Sequence, residues 1–492
     1  MRFNSFPYLV FLPVVSFLFF LIPFRFRWVL LLAASTIFYM SFIPQYILIL
    51  LFLIIIDYTM ARCIENAVGR KKKMCLVISI APTCAMLFLF KYFNFFNSNI
   101  SGIAVFFHWN YSCSALRLIL PIGLSFHTFQ SLSYVIEVFF GRQKAERHIG
   151  VYALYVMFFP QLVAGPIERP QNLLSQIHKE QNFDFDRMVS GLLLIGWGLF
   201  KKSVIADRLA IIVNPVFNAP AGFEGIPLVC ATVFFGFQIY CDFSGYSDIA
   251  IGSAEILGFK LMKNFKQPYC SKSVVEFWRR WHISLSTWFR DYFYIPMGGN
   301  KLSRGRWCFA IMTVFLVSGL WHGANWTFVI WGALHGCYMV IGGLSKKTRE
   351  ALARHMGLME HSVLRAIAQI TVTFCLVTFA WIFFRSNNVS DAWYIVSHLF
   401  TGWGHNINSI IENRNDARSA VLYLGQTKGT FFFFITAIIS LMTVQWKQQQ
   451  TSIRMIILNY PIWVRWGLYY LLISAILIVG VFHKTEFIYF QF

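Results

Sequence analysis

The sequence predicts an all-α polytopic membrane protein. Three observations carry that expectation. Of 492 residues, 57% are hydrophobic and 18% aromatic, and only 13% are charged. The apolar residues gather into runs, and about twenty in a helix suffice to cross a hydrocarbon core. The basic residues cluster in loops between those runs. Lys and Arg number 42 against 21 Asp and Glu, a formal net charge of +21. In a water-soluble chain that balance would point to nucleic acid; here topology signals and anionic lipid head groups account for it, and no nucleic-acid partner is expected. Ten cysteines stand singly, with no C-x-x-C pair, and indicate neither a zinc site nor a disulfide framework. There is no P-loop or dinucleotide fingerprint, and neither a metal nor a bound cofactor is expected.

In chain order, the first 24 residues read as an uncleaved span. Only Arg2 precedes the apolar run, no small-residue cleavage site follows it, and Arg25 and Arg27 lead straight into the next apolar segment. Runs at 8–24, 28–42 and 46–60 have connections that alternate between basic, uncharged and basic, which places the N-terminus outside and the basic loops in the cytoplasm. A fourth span, 74–90, is expected to end in a periplasmic polar and aromatic stretch, 91–114. The run 116–140 is interrupted by Pro121, Gly123 and His127 and reads as a re-entrant or kinked element, with His127 a hydrogen-bonded packing residue. A span at 151–163 follows, then the turn-rich Gly165-Pro166-Ile167-Glu168-Arg169-Pro170 and a polar surface helix over 171–187. The apolar run 192–200 closes on Lys201 and Lys202, read as a cytoplasmic marker, and 214–227 is a Pro/Gly-rich loop.

The long run 228–257 contains Tyr240-Cys241-Asp242-Phe243-Ser244-Gly245-Tyr246-Ser247-Asp248. Carboxylates in an apolar run are costly unless they pair, line a wet cavity or meet a ligand. Asp242 and Asp248 are six residues apart and share no helix face, so a paired acid/base device is not expected. A polar patch on a cavity wall is favoured, with structural hydrogen bonding as the competitor.

The chemical centre is expected between Phe277 and Trp326. The apolar runs 307–321 and 326–344 each have a basic patch at their far end, which implies a helical hairpin turning at Gly323-Ala324-Asn325. Gly323 suits a left-handed C-terminal position and Asn325 an N-cap. His322 then lies at a broken-helix corner about 22 Å from the basic end. In the preceding segment, Arg279, His282, Ser286 and Arg290 fall on one face of a helical wheel, and Trp281, Leu285, Trp288 and Tyr292 on the other. That pattern predicts one amphipathic helix, lining a cavity or lying as a membrane-surface anchor. His335, in the second hairpin helix, is a further candidate. Beyond the hairpin, 363–384 is another span, 386–429 an extramembrane loop with short helices, and 430–444 and 466–481 the last spans before an aromatic tail, 487–492. The total comes to about eleven to thirteen membrane helices. One integral-membrane domain over 1–492 is expected, with N-terminal helices in 1–140, the core in 141–345 and C-terminal helices in 346–492.

Two buried histidines suit acyl transfer to a hydroxyl, because an alcohol needs a base and imidazole titrates near neutral pH. An activated thioester donor requires no serine elbow, and no G-x-S-x-G occurs. Arg279, Arg280 and Lys272 are candidates for the phosphates of a large anionic donor.

The segments GPIERPQNLLSQI, YCDFSGYSDIAIG, NFKQPYCSKSVVEFWRRWHISLSTWFRDYFYIPMGGN, SGLWHGANWTFVIWGALHG, WIFFRS and FIYFQF together resemble the membrane-bound O-acyltransferase (MBOAT) family, in its alginate and peptidoglycan O-acetylation branch. The resemblance implies a horseshoe of helices around a transmembrane tunnel, with re-entrant and amphipathic helices. It implies an essential histidine at His322 and a second at His282. It further implies that acetyl from cytoplasmic acetyl-CoA is passed across a bacterial inner membrane to a periplasmic transferase partner that modifies an exported polysaccharide. His322 is the expected general base, and His282 positions the acyl group or polarises its carbonyl. Candidate donor- or acyl-binding residues are Arg279, Arg280, Trp281, Asp242, Ser244, Tyr246, Asp248, Trp321 and Asn325. D-alanyl transfer to teichoic acid, and a transporter without chemistry of its own, are the alternatives.

Overall fold

The computed structural model describes residues 1–163, 165–355, 357, 362–411, 421, 423–448, 453–482 and 487–488. Among the described residues the regular structure is entirely helical. Eight helices among these residues are long and apolar enough to cross a membrane: Pro44–Asn66, Gly69–Phe106, Phe185–Asn218, Ile226–Ile256, Trp326–Leu344, Val363–Arg385, Lys428–Gln448 and Ile462–Val479. The first two apolar runs form shorter helices, Phe6–Leu21 and Phe24–Met40, of 16 and 17 residues. The chain divides into two compact units, 1–195 with 246–263, and 196–245 with 264–492.

The first unit departs from the sequence reading at five points. The fourth span does not stop at residue 90: one helical rod runs Gly69–Phe106, absorbing a π-helical turn at Phe88–Tyr92, because Asn94 and Asn97 turn their amides onto the carbonyls of Leu116 and Cys113 instead of breaking the helix. Helix Leu124–Phe139 begins only after Gly123, which adopts φ 78, so Pro121 and Gly123 lie before the helix and do not kink it. His127 is buried, but neither ring nitrogen has a hydrogen-bond partner among the described residues; it packs without the expected bond. The span at 151–163 is two short helices, Ile149–Met157 and Phe159–Leu162, broken at Phe158, because Pro160 has no N–H to continue the ladder and is tolerated only in a helix's first turn. The expected surface helix is likewise only Pro170–Ile177.

Glu168, in the turn before that helix, is fully buried. Its carboxylate accepts from Asn172 Nδ2 at 2.6 Å and from the Met262 amide, tying the segment at 260–262 to the turn. Burial pushes its pKa up to about 7 from an ordinary 4.5, against the opposing pull of those bonds and of Arg169.

In the second unit, the loop expected at 214–227 begins later, since helix runs on to Asn218. Lys201 and Lys202 are not a topology marker. They sit in a π-helical turn, Phe200–Ala206, and are 3% and 2% exposed. Lys202 Nζ bridges Asp207 at 2.8 Å and Asp242 at 2.7 Å, and Lys201 donates to Ser244 Oγ at 2.9 Å. The other oxygen of Asp242 accepts the Ile488 amide at 2.8 Å. A lone buried ammonium would be prohibitive in hydrocarbon, and two carboxylates make it tolerable.

The predicted hairpin is present as Arg304–His322 and Trp326–Leu344. Its helices touch backbone to backbone: a methyl on Gly319 would lie 2.3 Å from the Phe328 carbonyl oxygen, and one on Gly332 the same distance from that of Phe315. The loop 386–429 carries the helices Val389–His398 and Trp403–Ile411; residues 412–420, and 489–492 of the aromatic tail, lie outside the described residues.

Three outcomes follow for the detergent-solubilised protein. Gly332→Ala should lower the thermal midpoint, with a cost of about 1–3 kcal/mol from overpacking, whereas Gly342→Ala on the same helix, where the added methyl meets open space, should not. Lys202→Met, which removes the ammonium between two buried carboxylates, should cost roughly 3–5 kcal/mol in denaturant unfolding, and Asp242→Asn should cost less because Lys202 keeps Asp207. Because the carboxyl of Glu168 holds its proton more tightly folded than unfolded, its contribution is full below about pH 4.5 and is lost as pH rises through about 7. The midpoint of Glu168→Gln relative to wild type should therefore rise between pH 5 and pH 8.

Candidate active site

The amphipathic helix expected through His282 is not continuous. It is two short helices, Val274–Arg280 and Ile283–Phe289, separated by an extended Trp281 and by His282 at φ 43, ψ 55. A left-handed conformation is uncommon for a side-chain-bearing residue and is kept only where the surroundings over-determine it. Asn264 does so. Its carbonyl accepts the Ile283 amide at 2.9 Å, and its side-chain oxygen accepts the Ser284 amide at 3.2 Å and hydroxyl at 2.7 Å. On the other side of the break, the Lys266 amide donates to the Arg280 carbonyl at 2.9 Å. The helical wheel failed because it assumed an unbroken ladder. His282 is 0% exposed, so it does not belong to a polar stripe facing water.

His322 is the last residue of its helix and is 3% exposed. Gly323 does not take the expected left-handed position. It is extended, at φ −161, ψ 148, and glycine is required there for room, since a methyl would come within 2.1 Å of the Phe328 ring. Asn325 is the N-cap, as expected: its side-chain oxygen accepts the Thr327 amide at 3.1 Å, and its Nδ2 donates to the Asn387 carbonyl at 3.0 Å.

The two imidazoles share a neighbour. The Trp321 indole meets His322 edge-on at a centroid distance of 4.8 Å and lies 6.2 Å from His282. Trp331, at 5.0 Å, and Phe384, at 5.4 Å, enclose the rest of His322, and Phe243 presents its edge to His282 at 4.6 Å. His335 joins this aromatic cluster through Trp331, 5.0 Å from its ring. Its Nδ1 accepts from Trp278 Nε1 at 3.2 Å, while Nε2 has no hydrogen-bond partner among the described residues. In neutral imidazole the accepting nitrogen is bare, so the proton of His335 resides on Nε2.

The remaining candidates separate. Trp281 is buried, stacked on Phe277 at 5.5 Å and 5.1 Å from Trp381. Asp242 and Ser244 are engaged by the buried lysines, so structural bonding prevails there over a cavity-wall patch. Tyr246 and Asp248 belong to the other unit, where Tyr246 stacks on Phe3 at 4.8 Å. Arg279 and Lys272 are exposed, and Arg280 pairs with Glu276 at 2.6 Å. Asn264, Phe243, Trp331 and Phe384 were not among the sequence candidates. Their only signal was membership of the long motif segments. Arg385, which closes the helix beside Phe384, donates to Asn214 and Asn218 at 2.9 and 3.1 Å, fixing the helix end that carries Phe384.

Comparison with known proteins accords with this geometry. Residues 142–386, which include both histidines, match the family model described as MBOAT, membrane-bound O-acyltransferase family. The chain is 36% identical over 397 residues to the probable alginate O-acetylase AlgI of Pseudomonas aeruginosa, covering 80% of this chain and 73% of that protein. It is 33% identical over 390 residues to the peptidoglycan O-acetyltransferase of Helicobacter pylori, covering 74% and 71%. It is 30% identical over 292 residues to the teichoic acid D-alanyltransferase of Streptococcus thermophilus, covering 56% and 70%. A helical, multi-span chain with two buried histidines on one tryptophan, and with relatives of this kind over most of its length, belongs to the membrane-bound O-acyltransferase family and is a multi-pass membrane O-acyltransferase.

Proposed function

We propose that this chain carries out the membrane step of polysaccharide O-acetylation. In this reading it takes acetyl from acetyl-CoA on the cytoplasmic side of a bacterial inner membrane and passes it outward, through a periplasmic partner transferase, to an exported glycan. The observation that carries the reading is the pair of buried imidazoles on Trp321, each at a helix end held by an asparagine. The acetylating relatives match more of the chain at higher identity than the D-alanyl transferase does, which favours acetate as the transferred group.

In this mechanism His322 is the general base. As the acceptor hydroxyl attacks the thioester carbonyl, its proton passes to the imidazole, the C–S bond breaks, and the thiolate leaves with a proton returned to it. His282 donates a hydrogen bond to the carbonyl oxygen as charge develops there, an interaction that is strong where water is excluded. Arg279, Arg280 and Lys272 meet the phosphates of the donor, and Trp281 and Trp321 bound the acyl chain. With the imidazole only 3% exposed, the donor reaches it only when one of the enclosing groups moves aside.

Membranes incubated with radiolabelled acetyl-CoA test this directly: label should pass to a periplasmic protein or glycan and be released by mild base as acetate. Release of D-alanine after supply of a D-alanyl carrier protein, with no acetate label, would overturn it. His322→Ala should leave the protein membrane-inserted and remove transfer. His282→Ala should lower the rate about 10²- to 10⁴-fold, and Asn264→Ala should lower it with His282 still present, by releasing the left-handed turn. Retained transfer in His322→Ala would remove that residue from the mechanism.

A further inference from the structure

Within the first unit lies a cavity of about 200 Å³ that plays no part in the chemistry described above. Its inner wall is apolar, built from Phe19, Leu31, Val151 and Leu154. Arg25, Arg27 and Lys179 also line it, and no Asp or Glu does. The nearby carboxylate of Glu146 is committed, to His178 Nε2 at 2.7 Å and to two backbone amides. Arg25 lies over the Phe26 ring at 4.7 Å, and its guanidinium, like the Lys179 ammonium, makes no hydrogen bond or ion pair among the described residues. Arg27 donates Nε to the Ile22 carbonyl and Nη1 to that of Gln181, so it is fixed in place with Nη2 still open. Three cations without a counter-charge therefore border one apolar hollow.

The hollow is pre-formed. His148 Nδ1 accepts the Val151 amide at 3.3 Å, and its ring meets Trp28 edge-on at 4.6 Å. Gly150 gives that indole its room, since a methyl there would come within 2.2 Å of it. Phe24, which lines the cavity, is itself 38% exposed, and the adjoining Leu21 and Phe26 are more so. In a membrane protein such residues face hydrocarbon, so the mouth of the cavity lies at an apolar surface. Its volume is below the roughly 300–1,000 Å³ that encloses a whole drug-sized ligand. It suits a head group whose tails remain outside.

We propose that this cavity is a binding site for the phosphate of an anionic phospholipid, held by Arg25, Arg27 and Lys179, with its acyl chains leaving past Phe24. The shared chemistry is a phosphate on basic side chains, and its two sources are a lipid head group and a free phosphate ion.

The test uses the full chain in neutral detergent and reads binding of dioctanoyl phosphatidylglycerol, dioctanoyl phosphatidylcholine and inorganic phosphate by native mass spectrometry. Arg25→Gln/Lys179→Gln is the variant, because both residues are exposed; its thermal midpoint without lipid should match wild type. Phosphatidylglycerol should bind at least tenfold more tightly than phosphatidylcholine. The variant should lose about 30-fold in phosphatidylglycerol affinity, roughly fivefold per cation, and millimolar inorganic phosphate should not displace the lipid. Equal binding of the two lipids, or an unchanged affinity in the variant, would overturn the site. Displacement by inorganic phosphate would overturn the lipid as its occupant.

Discussion

A helix that stops inside a bilayer must find partners for the backbone groups it releases, because no water is there to take them. Inside a packed protein the same holds, and both catalytic candidates stand, buried, at a helix end. At His282 the freed amides of Ile283 and Ser284 go to Asn264; at the hairpin turn the amide of Thr327 goes to Asn325, whose own amide reaches across to Asn387. Without these pairings the chain would recover its ladder by running on as helix, and the imidazoles would rotate onto other faces. The position of each ring is thus a by-product of how its broken backbone is satisfied.

The enclosure follows the same economy. Aromatic rings supply contact area with few rotatable bonds, and around the histidines they form one connected set: Trp321 meets both, while Trp331 links His322 to His335. The glycine contact at Gly319 and Gly332 brings the two hairpin backbones close enough for these side chains to meet. The buried lysines do a different task. In hydrocarbon an ammonium between two carboxylates is tolerated, not favoured, so Lys202 specifies which turns of its helix and of Ile226–Ile256 face each other.

Much of this was legible in the amino-acid order. Apolar runs give the spans, and two basic patches flanking an apolar pair give the hairpin and its corner at His322. The Asn325 cap was legible because capping is local. What escaped was non-local. The break at His282 depends on Asn264, eighteen positions away, and periodicity is blind to a partner outside its window. Lys201 and Lys202 resembled a loop charge because Ser244 and Asp242, their partners on Ile226–Ile256, reach them only once helices have packed. Gly323 was read for its backbone freedom, whereas what matters there is the ring of Phe328.

The amide of Ile488 rests on the carboxylate of Asp242, 246 positions earlier in the chain. A ribosome making this protein must therefore insert every intervening helix before that bond can close. Until then one oxygen of Asp242 waits in the bilayer without its final donor, so the second unit reaches its finished form only after synthesis has passed residue 488.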